Sequence, residues 1–255
     1  MKPRIAFSAN TVHKRFASPA LAERAAARSR ALATAGMSTP VGRVDAHDRC
    51  LLHFDRIDGP ALMPGELARS PARLRAIMAL IRSLHTLDES FGLRLGPVDP
   101  LERIRPRFAA HGGDWMVAVI AETCARLDRS PQSGGLVHGD LHAGQFIIDT
   151  DGALWIVDLD DLAIGPPEAD LGNFAAHMAT VAEHARCGKR IAIETSLARV
   201  ERAYAPGPTA IDRTRLRDYA CLALIRRALK RAEHGDADLA DRLASWLPSW
   251  SARPA

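Results

Sequence analysis

The chain is poor in lysine and in aromatic side chains. Lysine occurs only at Lys2, Lys14, Lys189 and Lys230, positive charge being carried otherwise by arginine, and Phe, Trp and Tyr together make up 5% of the residues. The formal net charge is only +4 and the arginines are scattered. Without a basic stripe or interleaved aromatics, nucleic acid is not an expected partner. The four cysteines, Cys50, Cys124, Cys187 and Cys221, lie far apart with no C-x-x-C pair. That argues against a disulfide framework and a structural zinc site, and suits a reducing compartment. No apolar run approaches the roughly 20 residues that span a bilayer, and the opening MKPRIAFSAN lacks the apolar stretch of a secretory signal. A cytoplasmic protein with no membrane partner is the expectation. No internal repeat or low-complexity linker interrupts the chain, and nothing in it speaks to oligomeric state.

What is present is an ordinary globular composition, 47% hydrophobic and 25% charged over 255 residues. This is enough for one sizeable core or for two unequal lobes around a cleft. The most informative stretch is 134–174. It holds the polar cluster His138-Gly139-Asp140-Leu141-His142-Ala143-Gly144-Gln145, the apolar run Phe146-Ile147-Ile148, a turn at Asp149-Thr150-Asp151-Gly152, and a second apolar run that ends in Asp158-Leu159-Asp160-Asp161. Two short strands around an Asp-Gly turn predict a hairpin. The hairpin draws Asp140 and Gln145 towards Asp158 and Asp160. Carboxylates crowded at one end of an apolar hairpin repel one another, so a hard, oxygen-liganded divalent cation such as Mg²⁺ is their natural partner.

The pattern resembles the catalytic segment of the aminoglycoside phosphotransferase and choline kinase group of the protein-kinase-like superfamily, which reads H-G-D-x-H-x-G-N before a strand that ends in a metal-binding Asp. His138-Gly139-Asp140, His142, Gly144 and Asp158 match, as do Gly165-Pro166-Pro167 and Asp170-Leu171. Gln145 stands where most members carry Asn, as in maltokinase-like relatives, and brings the same carboxamide oxygen one methylene further out. The resemblance implies an α+β fold of two lobes: a small, truncated N-terminal β lobe over residues 1–57 and a mainly helical lobe over 58–255. It implies transfer of the γ-phosphate of ATP to a hydroxyl of a small molecule such as a sugar, amino alcohol or aminoglycoside. Asp140 would accept the proton of the attacking hydroxyl or orient it. Gln145 and Asp158 would hold Mg²⁺ on the phosphates, Asp160 would be a supporting or second-metal carboxylate, and His138 and Asp170 would keep the loop in shape.

In 11–16 the strand alternation sets Lys14 between Val12 and Phe16 on one face, and an inward ammonium needs an anion. By the resemblance it holds nucleotide phosphates and pairs with a helix Glu. The helix expected over 18–35 offers Glu23, so Glu23 is the candidate partner. The plainer alternative is an edge-strand lysine facing water. Relatives precede this strand with a Gly- or Ser-rich turn that covers the phosphates. Here Phe7-Ser8-Ala9-Asn10 is either a shortened cover or no cover at all.

Two strands are expected at 41–44 and 50–54. A linker resembling the adenine-lining segment of the family follows at 54–59, then helices over 70–86, 100–110, 114–128, 170–185, 191–204, 212–233 and 237–246. His85 is expected to pack or cap. By the resemblance the acceptor lies against the later helices, with Glu168, His177, Glu183, His184 and Tyr204 as candidates to face it. Three other readings stay open: a nucleotide-binding scaffold without transfer, a metal-dependent phosphohydrolase built on Asp158-Leu159-Asp160-Asp161 or His138-x-Asp140-x-His142, and a polar hairpin end that merely faces solvent.

Overall fold

The computed structural model describes residues 4–87, 93, 95–129, 134–183, 189–205 and 211–252. Strands β1 (Arg4–Phe7) and β2 (Thr11–Arg15), helix α1 (Pro19–Thr34), and strands β3 (Arg43–Val44) and β4 (Leu51–Asp55) come first. The strands form one antiparallel sheet in the order β1-β2-β4-β3, with Lys14 opposite Leu52 and Val12 opposite Phe54. Pro19 opens α1 at a position whose missing N–H costs the helix nothing. The alanine-rich face of α1, Ala22, Ala25 and Ala26, closes on Phe16 and Leu52 to make a small core of its own. Side chains this short bring the helix near the sheet.

Next come α2 (Pro64–Arg69), α3 (Pro71–His85), α4 (Arg105–His111), α5 (Asp114–Arg129) and four short strands: β5 (Gly135–Val137), β6 (Phe146–Ile148), β7 (Leu154–Ile156) and β8 (Ala163–Gly165). The chain continues through α6 (Pro167–Glu183), α7 (Lys189–Tyr204), α8 (Arg213–Glu233), α9 (Asp238–Ala244) and α10 (Leu247–Ser251). The whole is an α+β fold of two lobes, a small sheet lobe and a larger helical one. In α3 Leu74, Ile77, Met78, Ile81 and Leu84 recur at helical spacing and are buried. In α8 burial runs round the whole helix from Leu216 to Ile225, as its apolar sequence requires of a central element.

Several features depart from the sequence expectations. The helix expected from residue 100 starts at Arg105, with Pro106 in its first turn and residues 101–104 forming a turn before it. Helix α2 is additional, opened by Pro64 and capped by Glu66, whose carboxylate accepts from the Met63 backbone N–H at 2.8 Å. A short η turn, Leu159–Asp161, follows β7. Strand β8 is unforeseen, because three residues pairing with three others far along the chain leave no local pattern. Among the described residues Cys50, Cys124 and Cys221 are free thiols, while Cys187 lies outside them. No helix among the described residues is long and apolar enough to cross a membrane.

Two ladders position the polar segments. Strand β5 pairs with β8, setting Val137 opposite Ala163, and β6 pairs with β7, setting Phe146 opposite Ile156. Residues 138–145 leave β5 and enter β6, while 157–162 leave β7 and enter β8. The two ladders therefore press these connections against each other.

Behind them α6 crosses α8 at close range. A Cβ on Gly172 would lie 2.7 Å from the Ala220 amide nitrogen and 3.0 Å from the Leu216 carbonyl oxygen. Gly172→Ala is expected to force the helices apart and cost about 1–3 kcal/mol, the usual range for overpacking. A chemical denaturation midpoint unchanged from wild type would refute this.

Candidate active site

The loop from His138 to Gln145 is anchored at its start through backbone N–H groups. The carboxylate of Asp170, buried on α6, accepts from the His138 N–H at 2.7 Å and the Gly139 N–H at 3.0 Å. His85, at the end of α3, donates from Nε2 to the same carboxylate at 3.0 Å while its Nδ1 accepts from the Tyr204 hydroxyl at 2.8 Å. His138 is fully buried and its Nε2 donates to the Val157 carbonyl at 3.0 Å. Gly139 takes φ +80°, and a Cβ there would sit 2.2 Å from the Asp161 carbonyl oxygen, so only glycine fits. The Val157 N–H donates to the Gln145 carbonyl at 2.9 Å, which sets Gln145 beside Asp158. Asp158 itself has φ +64° and is the one non-glycine residue with positive φ among the described residues. A left-handed aspartate costs about 1–3 kcal/mol, and such strain gathers where a side chain must be aimed.

Asp158 is aimed at Lys14. The Lys14 ammonium bonds Asp158 Oδ1 and lies 2.6 Å from Asp160 Oδ2, so β2 is tied to the segment after β7. The side-chain amide of Gln145 donates to Asp158 Oδ2 at 3.2 Å, and Arg28 of α1 donates to the Asp160 carbonyl. Burial works against the Lys14 charge, but Asp160 and Asp158 together outweigh it and raise the ammonium above its ordinary value. Burial likewise disfavours the Asp158 carboxylate, and Lys14 overcomes it and holds the group below the carboxylate range. Asp160 goes the other way: burial, with Asp158 and Asp161 nearby, pushes it up despite Lys14.

Glu23 is not the partner of Lys14. It is on the outward side of α1 in an exposed ion pair with Arg49, because the buried stripe of that helix runs through Ala22, Ala25, Ala26 and Ser29. Lys14 finds its anions across the cleft instead.

The cleft encloses about 390 Å³, within the range of small-molecule sites. Val12, Phe54, Ile57 and Ile147 give it apolar walls, and Lys14, Gln145, Asp158 and Asp160 close its polar end. The linker sits tightly on β6: the Leu62 N–H donates to the Phe146 carbonyl at 2.8 Å, and a Cβ on Gly59 would collide with the Ile148 carbonyl oxygen at 2.1 Å. Ser8 turns back on Thr11 at the tip of the β1–β2 hairpin, with Ile5 and Phe7 of β1 lining the cleft.

Asp140 is buried. Arg226 of α8 bonds its Oδ1 at 2.5 Å, and Arg103 bonds its Oδ2 while also reaching Asp161. Burial disfavours the carboxylate, but these two guanidiniums prevail and hold Asp140 well below the usual carboxylate range. Beside it His142 and His177 stack edge to face with centroids 4.9 Å apart. Burial, then nearby arginine charge, brings His177 down to about 3, and burial with Arg227 against Asp140 brings His142 to about 4.

The sequence matches the profile of the phosphotransferase enzyme family over residues 11–219. The chain belongs to that family. Solved structures share the fold, which is protein-kinase-like. Choline kinase LicA from Streptococcus pneumoniae superposes with a TM-score of 0.70 at 16% identity, over 97% of this chain and 90% of that one. Aminoglycoside phosphotransferase APH(3'')-Id from Streptomyces rimosus gives 0.61 at 19% identity, over 89% and 92%. Amicoumacin kinase hAmiN, in complex with AMP-PNP, Ca²⁺ and Ami, gives 0.72 at 12% identity, over 98% and 89%. Comparison with curated protein sequences finds no significant match.

Seen as a family member, the chain brings Lys14, Gln145, Asp158 and Asp160 to the polar end of one cleft, holds Asp140 apart between Arg103 and Arg226, and leaves Glu23 outside. Of the described side chains considered for an acceptor, His177 alone stands at the site. Glu168 is buried and accepts from the Asp212 N–H at 2.9 Å, and the Tyr204 hydroxyl is spent on His85. The Glu183 side chain and His184 lie outside the described residues. Sequence reasoning passed over Arg103, Arg226 and Arg227. A signal existed for the last two, since Arg226-Arg227 directly continues the apolar run 219–225 and buried guanidiniums need anions.

His177 supplies a pH test. Its folded pKa lies below its unfolded value of about 6.5, so the unfolded chain binds the extra proton as the pH falls from there towards 3. Stability should therefore drop across that window and stay level above it, by at most about 1.4 kcal/mol per pH unit for this one group. His177→Gln should flatten the fall in unfolding temperature between pH 6 and pH 4. An identical slope in the variant would contradict the assignment.

Proposed function

We propose that this chain transfers the γ-phosphoryl group of ATP to a hydroxyl of a small molecule, the class that includes sugars, amino alcohols and aminoglycosides. On this reading residues 1–57 form the nucleotide-side lobe and 58–255 carry the catalytic loop and the acceptor-binding helices. The observation that carries it is an apolar-walled cleft at whose polar end Lys14 meets Asp158 and Asp160 beside Gln145, the last residue of the loop that bears the buried carboxylate of Asp140. Apolar walls suit an adenine ring, and the ammonium suits its phosphates. The nucleotide complex of hAmiN, a protein of the same fold, is in keeping with this.

The donor set also fits Mg²⁺. Asp158, Asp160 and the Gln145 carboxamide offer hard oxygen ligands on one side only. Among the described residues no three His, Cys, Asp or Glu side chains gather into a closed cage. An open set of this kind is what Mg²⁺ takes together with substrate phosphates. Asp158, Asp160 and Gln145 would hold the ion, which when bound neutralises charge on the phosphates. Lys14, released from the two carboxylates, steadies the phosphates. Asp140 accepts the proton of the attacking hydroxyl. The hydroxyl oxygen bonds to the γ-phosphorus, the bond from that phosphorus to the bridging oxygen breaks, and ADP leaves with the electron pair. His138, Asp170 and His85 keep the loop in position. The chemistry is then mainly positioning and charge stabilisation.

Asp140→Ala should lower kcat by roughly 10²–10⁴, the range for loss of a general base. Asp158→Ala should abolish turnover, and Gln145→Asn should retain most of it. ADP release measured over a panel of hydroxyl acceptors decides this, and undiminished turnover in Asp140→Ala would remove the mechanism. Nucleotide binding without turnover on any acceptor would favour a nucleotide-binding scaffold instead.

A further inference from the structure

The surroundings of Asp140 narrow the acceptor, given the phosphotransfer reading above. A carboxylate that takes a proton from a hydroxyl must be basic enough to do so, yet Arg226 pairs with Oδ1 and Arg103 with Oδ2, and the two guanidiniums draw down the basicity of Asp140. A third guanidinium stands close by. Arg227 acts electrostatically on Asp140, His142 and His177. Its Nε and Nη2 are shut off from solvent and make no hydrogen bond, as is true of His142 Nδ1. Burial and the neighbouring Arg226 charge bring the Arg227 guanidinium down to about 9, so its cation is poorly compensated. Buried donors without acceptors are costly to a fold and call for an explanation, a ligand being one.

The nearby carboxylates are already engaged. Asp161 is held by Arg103 and Asp99 by Arg105, and Glu102 is exposed on the rim. Between the 97–103 segment and α8 a cavity of about 90 Å³ is lined by Val98, Arg103, Ala223 and Arg226. That is room for about three water molecules, or for a short chain ending in an oxyanion.

We propose that the acceptor carries an oxyanion, a carboxylate or phosphate group, near the hydroxyl to be phosphorylated, and that Arg226 and Arg227 bind it. The anion replaces Asp140 as the partner of Arg226, which frees Oδ1 to receive the hydroxyl proton before it passes to solvent. Arg227 gains the acceptor it lacks. A cationic acceptor would instead face three guanidiniums. Asp140 is thereby unmasked only when the right substrate arrives, which also restrains wasteful transfer to water.

The test is ADP release by the full chain with ATP, Mg²⁺ and four groups of acceptors: hydroxy acids such as glycerate and malate, phosphate monoesters such as glycerol 3-phosphate, uncharged polyols such as glycerol, and amino alcohols such as choline. Turnover is expected with the first or second group, and which of them responds tells carboxylate from phosphate. Arg227→Met should raise the acceptor KM roughly tenfold to hundredfold, the loss of hydrogen bonds to a charged group, with the ATP KM unchanged. Its unfolding temperature should be no lower than wild type, which a merely structural arginine would not allow. Arg227→Lys should recover part of the acceptor affinity. Turnover confined to polyols or amino alcohols would overturn this inference and leave phosphotransfer standing. Silence with every group would overturn this inference, and silence of sugars and aminoglycosides as well would remove phosphotransfer with it. The wild-type panel decides even if Arg227→Met does not fold.

Discussion

The Lys14 ammonium, shared between Asp158 and Asp160, is the interaction on which the rest of the site depends. It is the point where the sheet lobe touches the polar segments of the helical lobe, and Arg28 reinforces it from α1 through the Asp160 carbonyl. Breaking a buried ion pair by removing one partner typically costs 3–5 kcal/mol, because the remaining charge stays buried. The cleft geometry and the electrostatics are thus one constraint: the same contact that ties the two lobes together also fixes the two carboxylates at the end of the cleft.

Around this contact the fold spends order where aim matters. Two three-residue ladders fix the ends of the 138–145 and 157–162 segments, and the Asp170 carboxylate fixes the start of the first through two backbone N–H groups. Asp158 holds its left-handed backbone against this frame. The charges are then sorted into two compartments. On the cleft side, Asp158 and Asp160 face Lys14, with Arg28 bonded to the Asp160 carbonyl. Around Asp140, Arg103, Arg226 and Arg227 exceed Asp140 and Asp161. A site divided in this way suits a metal-bearing polyphosphate on one side and an anion-bearing hydroxyl on the other.

How much of this was legible in the sequence follows the range of each interaction. Strand alternation put Lys14 on the inward face, and the Asp-Gly turn specified the β6–β7 hairpin and so the meeting of Gln145 with Asp158. These are local patterns with fixed periods. The partner of Lys14 was not legible, since Asp158 and Asp160 are far along the chain while Glu23, nearer by, points out towards Arg49. The β5–β8 ladder was hidden for the same reason. Arg103 gave no signal at all, being one arginine among many on an irregular segment. Arg226 and Arg227 gave one, a charged pair continuing an apolar helix, but the Asp140 partner of Arg226 could be found only once α8 was packed against the 138–145 loop.

The most direct measurement is thermal unfolding of the purified chain with and without ATP and Mg²⁺, repeated on Asp158→Ala. At a hundred times its dissociation constant a ligand stabilises the native state by about 2.7 kcal/mol, a clearly visible rise in unfolding temperature. The account predicts a rise that needs Mg²⁺ and disappears in Asp158→Ala. A rise of the same size in that variant, or none at millimolar ATP in the wild type, would contradict the assignment of the cleft to a metal-bound nucleotide.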